Sequence, residues 1–156
     1  MNDFLIRKAS VQDTPLILNC IKGIAEYEKL SHQVEATLES LKKSLFENHD
    51  AHVLLGFENG VNVGFALYFY NYSTFKAKKG LYLEDLFLFP EYRSKGYGKA
   101  FFKELIQIAK SETCGRMEWV CLDWNQPAID FYHSLGASSL DDWTIFRIDE
   151  TTLKQL

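Results

Sequence analysis

The sequence predicts an α/β (α+β) fold: one mixed sheet with helices on both faces, in a single domain covering residues 1–156. Three observations carry this. The 156 residues fall within the roughly 100–200 expected of one domain. Apolar residues recur at helical spacing up to about residue 46, and the period then changes to that of strands. Past residue 90, helical and strand-like stretches alternate.

Phe4 to Lys8 is a short apolar run that reads as a first strand. Ser10-Val11-Gln12-Asp13 matches a capping box, and Pro15 is tolerated in a first helical turn. Leu16, Ile17, Cys20, Ile21, Ile24 and Tyr27 then mark a helix to about Lys29, with Gly23 a defect of about 1 kcal/mol inside it. Thr37 followed by Leu38, Leu41, Leu45 and Phe46 predicts a second, shorter helix. Ala51 to Glu58 and Val61 to Tyr72 flank Asn59-Gly60, a strong hairpin signal. Phe75 to Gly80 reads as a solvated loop, and Leu81 to Phe89 as a strand closed by Pro90. Tyr97 to Glu112 is helical, Met117 to Leu122 a strand, Pro127 to Leu135 a helix capped by Gly136, and Trp143 to Ile148 a last strand.

Composition narrows the function. With 47% hydrophobic and 15% aromatic residues, the chain is built to pack a core. Its net charge of −4 argues against a nonspecific nucleic-acid binder and suits a cationic partner. No apolar run approaches the ~18–20 residues of a membrane span. The first residues carry no basic segment leading into an apolar signal core, so a cytoplasmic location is expected. Cys20, Cys114 and Cys121 form neither a disulfide framework nor a zinc pattern. His32, His49, His52 and His133 lack ligand spacing, so no metal is expected.

The stretch richest in chemistry is Pro90-Glu91-Tyr92-Arg93-Ser94-Lys95-Gly96-Tyr97-Gly98-Lys99-Ala100, between a strand and a helix. Glycines there allow a tight turn with N–H groups facing outward, and a helix N-terminus adds about half a positive charge. The combination suits a phosphate or pyrophosphate. Arg93 and Lys95 add charge. Neither a Walker loop nor a dinucleotide fingerprint fits, since no upstream glycine is in register and Phe101 stands where a third glycine belongs.

Arg93-Ser94-Lys95-Gly96-Tyr97-Gly98 resembles the Arg/Gln-x-x-Gly-x-Gly/Ala signature of the GNAT superfamily of N-acetyltransferases. The element order is similar along essentially the whole chain. Ala25-Glu26-Tyr27-Glu28, Tyr82-Leu83-Glu84-Asp85-Leu86-Phe87, Trp124-Asn125-Gln126-Pro127 and Phe131-Tyr132 resemble the spermidine/spermine (diamine) branch, which also acetylates thialysine. The resemblance implies a mixed, mostly antiparallel sheet and acetyl-CoA as cosubstrate. By position, Leu86, Phe87 and Leu88 would meet the acetyl and pantetheine part through their main chain. Arg93, Ser94, Lys95, Gly96, Tyr97, Gly98 and Lys99 would hold the pyrophosphate, and Asn125, Pro127 and Ala128 the far side of the cofactor.

The same resemblance implies Tyr132 as the general acid for the departing thiolate; a phenol stays protonated at neutral pH. Glu84 is the implied base, and Tyr27, Glu28, Glu84 and Asp85 the implied contacts to a small cationic amine. On an alternating strand Glu84 and Asp85 point to opposite faces, so only one can face a given site. His133 reads as a surface residue, Trp143 as core, and the cysteines as structural. The branch also implies a homodimer.

Direct acetyl transfer to a polyamine or diamine is the leading expectation. Thialysine or a lysine-like amino acid is the alternative; its carboxylate calls for an extra cation near the acceptor. A non-catalytic CoA- or polyamine-sensing module is the reading from another class.

Overall fold

The computed structural model describes residues 3–156. Contacts divide the chain into two compact units, residues 1–120 and 121–156.

The first unit holds a five-stranded sheet in the order β1-β2-β3-β4-β5. Its strands are β1 (Phe4–Lys8), β2 (His52–Glu58), β3 (Val61–Ser73), β4 (Lys78–Leu88) and β5 (Met117–Glu118). The first four run antiparallel, and β5 lies parallel to β4. Asn59 and Gly60 join β2 to β3 with φ of +50° and +81°, the doubly left-handed turn that matches strand twist. Lys78, Lys79 and Gly80, expected in a loop, belong to β4 because they pair with Ser73, Tyr72 and Asn71.

Helix α1 (Thr14–Tyr27) follows a 3-10 turn at Val11–Asp13. Asp13 accepts from the Ser10 backbone N–H and from both terminal nitrogens of Arg7, at 2.7–2.9 Å. Helix α2 (Leu38–Leu41), capped by Thr37, widens into a π-helical stretch at Lys42–Glu47. Ile17 and Cys20 of α1, with Leu41 and Leu45, pack on Val53, Leu55, Phe65 and Phe87. Helix α3 (Tyr97–Ser111) covers the other face, where Phe101 approaches Gly56 and Phe102 meets Trp119 edge-on.

Gly23 explains itself in this packing. A methyl group there would lie 2.6 Å from the Phe87 ring and 3.3 Å from Phe89. The glycine lets α1 settle directly on β4, so the helix defect read from sequence is the condition for that contact.

In the second unit, α4 (Gln126–Ser134) is capped by Asn125, whose side chain accepts from the Ala128 N–H at 3.4 Å. Gly136, at φ +91°, ends it as expected. Two expectations fail. The strand foreseen at Met117 to Leu122 pairs only through Met117 and Glu118. Residues 143–148 form no strand, and the chain instead ends in a short helix, α5 (Glu150–Gln155), capped by Asp149. An apolar pattern becomes a strand only where it pairs, and no ladder reaches these residues among those described. Trp143, expected in the core, is 78% exposed.

Candidate active site

The site is assembled on β4. Beyond Leu81 and Tyr82, which pair with β5, no described strand continues along that side of β4. Main-chain groups from Leu83 to Leu88 are therefore left to be satisfied by something other than a strand. Phe87 is buried with its ring in the α1-side core, while Leu86 and Leu88 are half-buried. Side-chain packing and main-chain availability coexist on this stretch.

A β-bulge then changes the expected geometry. Leu67 pairs with Asp85 and Tyr68 with Leu83, so Glu84 is an extra residue with no partner across the ladder. Directly opposed residues share a face, and Leu67 packs against the α1-side core. Asp85 and Phe87 therefore point toward α1. Strict alternation, which would separate Glu84 from Asp85, does not hold at an unpaired bulge residue.

Glu28 caps the C-terminus of α1. Burial first, then Glu84 and Glu28, push Asp85 up from the ordinary aspartate value to about 7. Burial, then Glu84, raises Glu28 as well. Glu84 is the exposed member of the three, and Tyr27 beside Glu28 is partly exposed. The sequence named all four residues, and the structure brings Glu28, Glu84 and Asp85 together. Asp85, raised to about 7, is able to take up a proton near neutral pH, and the negative charge around it suits a cation.

The glycine loop follows β4 through a 3-10 turn at Pro90–Tyr92. Gly96 takes the N-cap position of α3 at φ +84°, a conformation that favours glycine. No side chain caps the helix there, and a methyl group on Gly96 would meet nothing within 4 Å. Open backbone and uncapped N–H groups at a 15-residue helix suit a pyrophosphate. With the free edge of β4 able to bond the amides of a pantetheine arm, the residues present fit acetyl-CoA.

Two loop cations are differently disposed. The Lys95 Nζ lies 3.0 Å from Glu58, which also accepts from the Tyr97 hydroxyl. Tyr97 in turn stacks on Phe4, with ring centroids 3.8 Å apart. This clasp fastens the loop to the end of β2. Sequence reasoning missed Glu58, because its partners are 37 and 39 residues away and no local motif joins them. Arg93 instead turns back: its Nε donates to the Leu88 carbonyl at 2.9 Å, and its guanidinium lies over the Tyr27 ring at 4.9 Å.

The second unit carries the remaining sequence-chosen residues. Asn125 uses its side-chain oxygen as the α4 cap, Pro127 occupies the first turn, and Ala128 gives its N–H to that cap. Tyr132 is half-buried beside Phe131, with ring centroids 5.7 Å apart, and its carbonyl receives the N–H groups of Leu135 and Ala137. His133 is exposed. Burial raises the thiols of Cys20, to about 12, and of Cys114 and Cys121, the opposite of what a thiolate nucleophile needs. Among the described residues no group of three or more His, Cys, Asp or Glu is placed to hold a metal, and no helix is long and apolar enough to cross a membrane.

Comparison with known proteins places this geometry in a family. Residues 21–137 match the family model "Acetyltransferase (GNAT) family". The chain is 36% identical to a thialysine N-epsilon-acetyltransferase of Sus scrofa over 168 residues, covering 100% of this chain and 98% of that protein. It is 34% identical to the spermidine/spermine N(1)-acetyltransferase-like protein 1 of Homo sapiens, covering 98% of this chain but 24% of that longer protein. Among solved structures, an integron cassette protein from the mobile metagenome of V. cholerae superposes with a TM-score of 0.81 at 25% identity, covering 97% of this chain and 96% of that one. The chain belongs to the GNAT family of N-acetyltransferases. Of the two acceptor classes expected from sequence, the thialysine class has the better support; polyamine specificity does not follow from these likenesses.

Proposed function

We propose that the chain transfers acetyl from acetyl-CoA directly to the side-chain amine of thialysine or a similar lysine-like amino acid. The observation that carries the proposal is the Glu28, Glu84 and Asp85 cluster beside the open edge of β4. The near full-length likeness to a thialysine acetyltransferase supports the choice of acceptor.

The chemical difficulty lies in the acceptor. An alkylammonium with a pKa near 10.4 is protonated at pH 7.5, and freeing the amine costs roughly 4 kcal/mol. Clustered carboxyls attract the ammonium and then receive its proton. Glu84, the exposed member on the bulge, takes that proton directly or through water, while Asp85 and Glu28 hold the cation. Acetyl-CoA supplies an activated thioester carbonyl. Main-chain groups of Leu86 to Leu88 orient that end, and the Gly96 loop with Lys99 anchors the phosphates. Tyr132 protonates the leaving thiolate, whose pKa resembles the 8.5 of cysteine and so asks little of its acid.

The second reading, a polyamine acceptor, draws on the same three carboxylates, since several anions suit several cations. Product analysis tests the first reading. Wild-type chain incubated with acetyl-CoA and thialysine should yield acetyl on the side-chain nitrogen, seen by NMR, and Tyr132→Phe should lower kcat at neutral pH about 10- to 1,000-fold. An unmodified thialysine, or undiminished turnover by Tyr132→Phe, would refute the acceptor or the acid respectively.

A further inference from the structure

An amino-acid acceptor brings a carboxylate into a site dominated by three carboxylates, so a cation must meet it. Arg93 stands where a phosphate ligand is expected, yet its side chain leaves the loop. The Nε bond to the Leu88 carbonyl fixes one edge of the guanidinium at 2.9 Å. One ring flanks it on each of two elements, Tyr27 at 4.9 Å from α1 and Phe87 at 5.6 Å from β4. No ion pair within 4 Å joins Arg93 to any described carboxylate, so its terminal nitrogens keep their charge unpaired. A guanidinium held at its inner edge, with its outer fork open, is preorganised for bidentate binding of a carboxylate.

The opposite pole lies close by. Asp85 and Phe87 are two positions apart on the same face of β4, which is roughly 6–7 Å. Glu28 follows Tyr27 directly in the chain. Arg93 sits at the Tyr27 and Phe87 end, and the acids at the Glu28 and Asp85 end. No ion pair within 4 Å links Arg93 to Glu28, Glu84 or Asp85. A polyamine would instead set a cationic end against a guanidinium.

We propose that Arg93 receives the α-carboxylate of the acceptor while Glu28, Glu84 and Asp85 receive its side-chain ammonium, making Arg93 the residue that selects amino acids over polyamines. This rests on the acceptor class proposed above.

The test compares thialysine with bis(2-aminoethyl) sulfide, the same diamine without the carboxylate, and measures acetyl-CoA affinity by calorimetry. Arg93→Gln should lower kcat/KM for thialysine about 10- to 100-fold, the worth of a charge-assisted bond. Its effect on the diamine should be at least about tenfold smaller, and acetyl-CoA affinity should hold. Arg93→Lys, which keeps the charge and the fold but loses the fork, should retain part of the preference. Equal losses on both amines, or a loss of acetyl-CoA affinity that accounts for both, would overturn the proposal by returning Arg93 to the phosphates. A wild-type chain that binds acetyl-CoA but acetylates neither amine would overturn the acceptor class, and this proposal with it.

Discussion

Burial and two neighbouring carboxylates hold Asp85 far above the ordinary aspartate value, at about 7. Its folded-state pKa lies above its unfolded one, so between about pH 4 and pH 7 the folded chain holds a proton that the unfolded chain has lost. Stability therefore falls as pH rises through that window. Asp85→Asn removes the effect, and we expect a gain of about 1–3 kcal/mol at pH 7.5 that vanishes below about pH 4, read from denaturant titrations across pH. Activity should move the other way. The acidic limb of the kcat/KM profile should shift and kcat/KM for the amine should fall, because the ammonium loses one of its carboxylates. An unchanged stability difference between pH 4 and pH 7.5 would show that Asp85 ionises normally. The sequence identified Glu84 and Asp85 but assigned them to opposite faces. The bulge that reunites them is a property of the pairing between β3 and β4, and no spacing within Tyr82 to Phe87 reveals it.

At the scale of elements, the contact of α1 with β4 sets where Tyr27 and Glu28 stand. Gly23→Ala ought to gain about 1 kcal/mol from helix propensity. The added methyl would press on the Phe87 ring, which is 5% exposed in the core and cannot easily yield. We expect a net loss of about 1–2 kcal/mol in chemical denaturation, with a raised KM for the amine as α1 lifts from the strand. A stabilised variant would mean that Phe87 moves aside freely. The hairpin at Asn59-Gly60, the helix after the glycine loop and the Gly136 cap were all legible, because each depends on local backbone preference. The last strand was not: Trp143 and Ile145 show strand-like spacing, yet they remain 78% and 70% exposed. Periodicity records what a segment is able to do, and pairing requires an edge that no local pattern specifies. Arg93 illustrates the same limit, since its role was read from its place in a motif while its direction follows from Leu88 and Tyr27.

For the molecule as a whole, the superfamily was legible because several separated motifs agree in order, and the match over residues 21–137 shows it. Acceptor identity was not, because polyamines and lysine-like amino acids share the cationic amine that the acids recognise and differ only at the far end. The net charge of −4 favours cationic acceptors in general and does not divide the two classes. The proposed reaction is acetylation of a lysine-like amino acid. Thiol release from acetyl-CoA at one fixed pH, comparing kcat/KM for thialysine and for spermidine, decides it. We predict that thialysine leads by at least about tenfold, the difference that one charge-assisted carboxylate contact supplies; spermidine leading by a similar factor would refute the lysine-like acceptor and make the carboxylate cluster a polyamine site.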